Sequence, residues 1–109
     1  MATFSLIAAN NDNSTLLRAG SGWVDSIDFY NPSAAIRYVK LYDKATAPGA
    51  SDTPLLRIGI PAGGRDQLSY PERELVYGAG LGVRIVTGQP DNDNTAPTAG
   101  DVVINIVYR

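Results

Sequence analysis

The 109-residue chain sets nine Lys and Arg against eleven Asp and Glu, a net charge of −2, and has no histidine and no cysteine. The basic residues stand singly from Arg18 to Arg109, which excludes a stripe able to displace counterions from a nucleic-acid backbone. Without Cys or His there is no disulfide framework, no thiolate or imidazole metal site and no histidine base, while 44% apolar and 18% charged residues describe a folded domain.

Short period-two segments recur between turn signals, the pattern of strands in a sandwich or barrel. A first strand is predicted over Thr3–Ala8, ended by the polar cluster "NNDNST", and a second over Leu16–Ala19, closed by Gly20-Ser21-Gly22. Trp23–Tyr30 alternates, with Trp23, Asp25, Ile27 and Phe29 on one face and Val24, Ser26, Asp28 and Tyr30 on the other. Asn31-Pro32-Ser33 turns the chain, since Asn bonds its neighbouring backbone and Pro fixes φ. Ala35–Asp43 is the next strand, with Val39 and Leu41 as its inward side chains and Lys40 on the opposite face. Lys44–Thr53 is a loop longer than a hairpin needs. Leu55–Ile60 turns Leu56, Ile58 and Ile60 inward, Ala62-Gly63-Gly64 makes a sharp turn, and Gln67–Tyr70 is a short or edge strand. Pro71–Glu74 opens a helical turn that "YGAGLG" cuts short. Gly80–Thr87 sends Leu81, Val83 and Ile85 to one side, and Gly88–Gly100 is the longest loop. Asp101–Tyr108 is apolar on both faces, as a central strand is. Seven to eight strands and no helix of consequence predict one domain over residues 1–109: an all-β, antiparallel two-sheet β-sandwich, of jelly-roll or immunoglobulin-like topology.

Three carboxylate pairs stand out, Asp25 with Asp28, Glu72 with Glu74 and Asp91 with Asp93. Acid–base pairs must face each other across a cleft; the first pair falls on opposite faces of one strand and the second in a turn, so no enzyme is expected. "PDNDNTAPTAGD" offers Asp91, Asp93 and Asp101 as weak metal candidates, but lacks the turn Gly and closing Glu of a calcium loop, and neither metal nor cofactor is expected. "IPAGG" and "GAGLG" precede neither a helix nor a Lys-Ser/Thr pair, so they read as turns and bulges. Trp23, Tyr30, Tyr38, Tyr42, Tyr70, Tyr77 and Tyr108 serve either cross-strand packing or a sugar-stacking platform, which leaves a carbohydrate-binding module as the alternative function. No run approaches the ~20 apolar residues of a membrane helix. The start "MATFSLIAANNDN" has no basic n-region or long apolar stretch, so no export and no membrane partner are expected.

From Asn31 to Arg109, the succession "NPSAAIRYVKLYDKATAP", "TPLLRIGIPAGG", "GAGLGVRIVTG", an acidic-polar loop and "AGDVVINIVYR" resembles small virion proteins of tailed bacteriophages and prophages. The resemblance implies a structural part of a particle, foremost a capsid decoration (cement) protein and otherwise a tail- or fibre-associated module. Its implied partners are the major capsid protein or other virion proteins. The chain would be made in the host cytoplasm and reside in the virion, with a homotrimer or a monomer on the shell. No catalytic residue is implied. Partner contacts are expected at the loop tips, where rigid sandwiches carry function: Asn11, Asp12 and Asn13, then Lys44 and Asp52, then Asp91, Asn92, Asp93 and Asn94. A further expectation is that the first residues form an arm pairing with a neighbour's sheet edge.

Overall fold

The period-two segments become nine strands in a computed structural model that describes residues 2–7, 14–97 and 100–109, with side chains from residue 14 onward. They are β1 (Ala2–Ile7), β2 (Thr15–Ala19), β3 (Gly22–Tyr30), β4 (Arg37–Asp43), β5 (Leu56–Ile60), β6 (Arg65–Ser69), β7 (Leu75–Tyr77), β8 (Gly80–Val86) and β9 (Val103–Tyr108). A 3-10 turn at Pro71–Arg73 is the only helical element among the described residues. The first sheet runs β1-β9-β3-β6, with β7 pairing β3 beside β6, and the second runs β2-β8-β4-β5. Every pairing is antiparallel.

The pairings are nested. β1 pairs β9, β2 pairs β8, β3 pairs β6, and β4 pairs β5, so the chain is one long folded ribbon with the β4–β5 connection at its tip. The ribbon then wraps until β9 meets β3 and β8 meets β4, each in the sheet its neighbours define. This is the jelly-roll order. In the immunoglobulin order the first two strands share a sheet, whereas β1 and β2 lie in different ones. β1 pairs along six residues with β9 of its own chain, so the segment expected as an arm is an edge strand of the first sheet.

Between the sheets one apolar cluster joins Val24, Ile27, Phe29, Ile104 and Ile106 of the first to Val39, Leu41, Ile58, Ile60, Leu81, Val83 and Ile85 of the second. The inward sets predicted for β4 and β5 hold, Leu81, Val83 and Ile85 share the core side of β8, and of the two apolar faces of β9 that of Ile104 and Ile106 turns inward. The grouping expected for β3 is corrected, because Val24 faces Tyr108 and Ser26 faces Val107, which leaves Asp25 as a bulge residue. One extra residue shifts the phase of everything beyond it. Val24 therefore joins Ile27 and Phe29 inside, and Trp23 and Asp28 share the outer side.

Two strand starts move for identifiable reasons, and one strand is new. β4 begins at Arg37, two residues later than Ala35, because the Ala35 carbonyl accepts from Asn31 Nδ2 (2.8 Å). β9 begins at Val103, since Asp101 is held at 2.8 Å by Arg37 Nε. The unforeseen β7 fills the edge of β3 that β6 leaves open, pairing Gly22 with Tyr77, Trp23 with Val76 and Val24 with Leu75.

Candidate functional site: the roof over the second sheet

On the outer face of the second sheet, Lys40 of β4 stands directly opposite Arg57 of β5 and Arg84 of β8. Three cations in one cross-strand row repel one another, yet Lys40 and Arg84 have no exposed surface at all. Two connections make this tolerable. One leaves β8 at Val86, opposite Tyr38, and the other leaves β4 at Asp43, opposite Leu81, so they start from opposite ends of the sheet and fold back over the same face.

The β8–β9 connection supplies the counter-groups. Lys40 Nζ donates to the Pro90 carbonyl at 2.6 Å. Arg84 Nη2 donates to Asn94 Oδ1 at 2.5 Å and to the Asp93 carbonyl at 3.4 Å. Arg57 grips Asp91 with two bonds of 2.5 and 2.7 Å, the fork geometry a guanidinium favours. Asp93 closes the loop on itself, accepting from Gly88 N at 3.0 Å and from Thr95 N and Oγ1 at 3.3 and 3.2 Å. In the β4–β5 connection, Asp52 accepts from Lys44 Nζ and from Gly49 N, both at 2.7 Å. Ser14 Oγ donates to the Pro48 carbonyl. The Pro48 ring lies over Gly82, where a Cβ would stand only 2.7 Å from it, so this seat on β8 requires glycine.

The electrostatics follow from burial. Desolvation lowers the pKa of Lys40, and Arg84 and Arg57 push the same way, against the pull of Asp93 and Asp91. The bond from Arg57 lowers Asp91 and in return raises Arg57. The bonds from Lys44 and Gly49 N lower Asp52, and the field of Arg84 adds to them, which ties both connections to the same buried guanidinium.

The structure thus brings two of the three expected contact loops together on one face: Lys44 and Asp52 from one, Asp91, Asn92, Asp93 and Asn94 from the other. Asn92 and Asn94 are exposed, and the remaining four are half-buried. Asn11, Asp12 and Asn13 lie outside the described residues. The three metal candidates do not converge, since Asp91 is held by Arg57, Asp93 by Gly88 and Thr95, and Asp101 by Arg37. Among the described residues no group of three potential ligands comes together to hold a metal ion. Of the aromatic rings, Tyr42 and Tyr77 are buried, Tyr70 and Tyr108 pack on the core, Trp23 and Tyr30 lie under Arg73 and Arg65 at 4.2 and 4.5 Å, and Tyr38 is half-buried opposite Gly59 on the second sheet.

Sequence reasoning missed the cation row. Its only trace is a basic residue at an outward position in each of three predicted strands, followed by the acidic "PDNDN"; the row exists only once strand register is known. What the assembly provides is a pinned surface: the β8–β9 connection is held by the buried Lys40 and Arg84 beneath it, and the β4–β5 connection by Lys44 with Asp52 and by Ser14 at Pro48. No protein-family model, no curated protein and no solved structure matches this chain.

Proposed function

We propose that the chain is a non-enzymatic structural protein of a tailed-phage particle, a decoration protein that binds the assembled head and stabilises it. The observation that carries this reading is the nested jelly-roll order of the strands, an architecture that recurs in viral capsid proteins, together with the motif succession from Asn31 to Arg109. The pinned roof suits the role. Loops ordered before contact lose little conformational freedom on binding, so more of the contact energy appears as affinity. A protein that binds the assembled shell and not loose subunits favours the shell by mass action, and many modest contacts act together through avidity. The partner is the major capsid protein, and the exposed Asn92 and Asn94 with the half-buried Lys44 and Asp52 form the contact.

The test is to mix the purified protein with heads of the encoding phage prepared without it, sediment them, and count bound copies by quantitative mass spectrometry. Copies in the hundreds, matching the shell lattice, are expected, with loss of binding on Asn92→Arg. A dozen copies or fewer would instead mark a tail or portal position, and no binding would overturn the reading.

A further inference from the structure

The two outer faces of the sandwich are treated unequally. The second sheet is roofed, whereas on the first Asp28, Gln67 and Ser69 are exposed. There a groove of about 540 Å³ opens across β6, β3 and β9, and six of its lining side chains come in two rows set by strand register. Gln67, Asp28 and Asn105 stand opposite one another in the first row, and Arg65, Tyr30 and Val103 in the second. Neighbouring strands lie about 4.8 Å apart, so each row spans about 10 Å.

We propose that this groove binds a neutral oligosaccharide, over a length of about two sugar rings. The first row alternates amide, carboxylate and amide, and within the described residues none of the three side chains is engaged in a hydrogen bond or ion pair. Each amide both donates and accepts, and the carboxylate accepts. That is the set a pair of adjacent sugar hydroxyls requires, since each hydroxyl gives one bond and takes others. The second row supplies a wall. The Arg65 guanidinium is stacked 4.5 Å from the Tyr30 ring centre, so the ring is covered rather than open for stacking, and the second row bounds the groove as its less polar side, with Val103 opposite Tyr30.

Other ligand classes fit less well. Asp28 and Asp66 outnumber Arg65 among the lining charges, so the groove is net negative and repels phosphate, sulfate and nucleic acid. Its polar row denies an acyl chain a continuous apolar floor. A peptide added as a strand would need a free sheet edge, whereas this groove crosses the face of three strands. The volume lies within the range of small-ligand sites. Groove and roof occupy opposite outer faces of the sandwich, so sugar binding and attachment to a particle do not compete, and the proposal stands or falls on the isolated chain.

The experiment is a titration of the isotope-labelled protein, followed by amide chemical shifts, with malto-, cello-, manno- and xylo-hexaose as neutral probes and a heparin hexasaccharide as the anionic contrast. Saturable shifts at the outer positions of β3, β6 and β9 with at least one neutral probe are expected, and none with heparin. Asp28→Ala, Gln67→Ala and Asn105→Ala should each weaken binding about tenfold, the usual worth of one hydrogen bond to such a group. Val76→Ala, on β7 outside the groove, should change nothing. Asp28 and Gln67 are exposed, so their variants keep the core intact, which circular dichroism verifies. Absence of shifts with every neutral probe at millimolar concentration, shifts confined to the roof, a preference for heparin, or alanine variants that bind like the parent would each overturn the proposal.

Discussion

Replacing Asn31 by Ala removes a buried polar staple between two turns. Its side chain has no exposed surface. The two amide hydrogens serve the carbonyls of Ala35 and Ile60, both at 2.8 Å, with Pro61 sharing at 3.2 Å, and Oδ1 accepts from Ser33 N at 3.0 Å and Ser33 Oγ at 2.6 Å. The turn that follows β3 is thereby tied to the β5–β6 turn, which the Asn31 backbone also meets through Gly63 and Gly64. Each bond carries a net worth of about 1 kcal/mol, and a buried carbonyl left without a partner costs about 1–3 kcal/mol. Since Ala35 and Ser33 lie toward solvent and regain water, while Ile60 does not, the expected loss is about 3–4 kcal/mol. That is a large part of the 5–15 kcal/mol that holds a domain of this size together, and it corresponds to a fall in Tm of roughly 15 °C. Urea unfolding followed by the fluorescence of Trp23, the only tryptophan, should show a lower midpoint with an unchanged slope. Asn31→Asp keeps the shape but aims an acceptor at three carbonyls, so it should be at least as damaging at neutral pH. It should recover part of the loss in acid, where the new carboxyl is protonated and can donate. A loss below about 1 kcal/mol for the alanine variant, or an aspartate variant as stable as the parent, would refute the staple.

Lys40 has a folded pKa below its unfolded value, so between the two the unfolded chain binds more protons and stability rises with pH. Lys40→Met should abolish that rise in urea midpoints taken from neutral pH up to about 10. Beyond that point Tyr70 and Tyr77, raised by burial, reverse the trend because the unfolded chain ionises first. Asp43 accepts from Gly78 N, Ala79 N and Gly80 N at 2.9, 2.8 and 3.3 Å, bonds that lower its pKa. Its contribution is therefore complete above the ordinary carboxylate value and fades as pH falls through the folded one; Asp43→Asn should flatten the acid limb of the stability profile and cost about 1 kcal/mol at neutral pH, allowing for its exposure. Gly22→Ala sets a Cβ 1.8 Å from the Arg109 carbonyl and 2.5 Å from the Tyr77 hydroxyl, so thermal unfolding should show a loss of about 3 kcal/mol or more, unlike an ordinary strand Gly→Ala change. A double-mutant cycle on Arg57 and Asp91 should give only a weak coupling that fades with added salt, because both side chains are open to solvent, while amide exchange at residues 88–95 accelerates in both single variants.

Much of the architecture was legible locally. Val39 and Leu41, Ile58 and Ile60, and Leu81, Val83 and Ile85 fall on common faces by alternation alone, because in a strand the side chain's direction depends only on its parity, whereas in β9, apolar on both sides, parity left open which set faces the core. The same rule failed at Asp25, where no Gly or Pro marks the bulge and the displaced phase is imposed by the partner strand β9. It failed also at Leu75–Tyr77, too short to show a period and made a strand only by the open edge of β3. For the candidate site, the loops were visible as long polar stretches, but their convergence was not. Asp91 finds Arg57 across 34 positions and Lys40 finds Pro90 across 50.

By itself the sequence determined the all-β class, the inward faces of most strands, and the lack of any histidine or cysteine chemistry, since each of these rests on composition or on the parity of neighbouring residues. Only the tertiary structure decided the jelly-roll order, the buried row of Arg57, Lys40 and Arg84, the roof above it, the polar groove opposite and the role of Asn31 as a staple. Those features depend on which strand pairs with which and in what register, and pairing is settled by burying the apolar faces of distant segments together, a property of the whole chain that no local stretch contains.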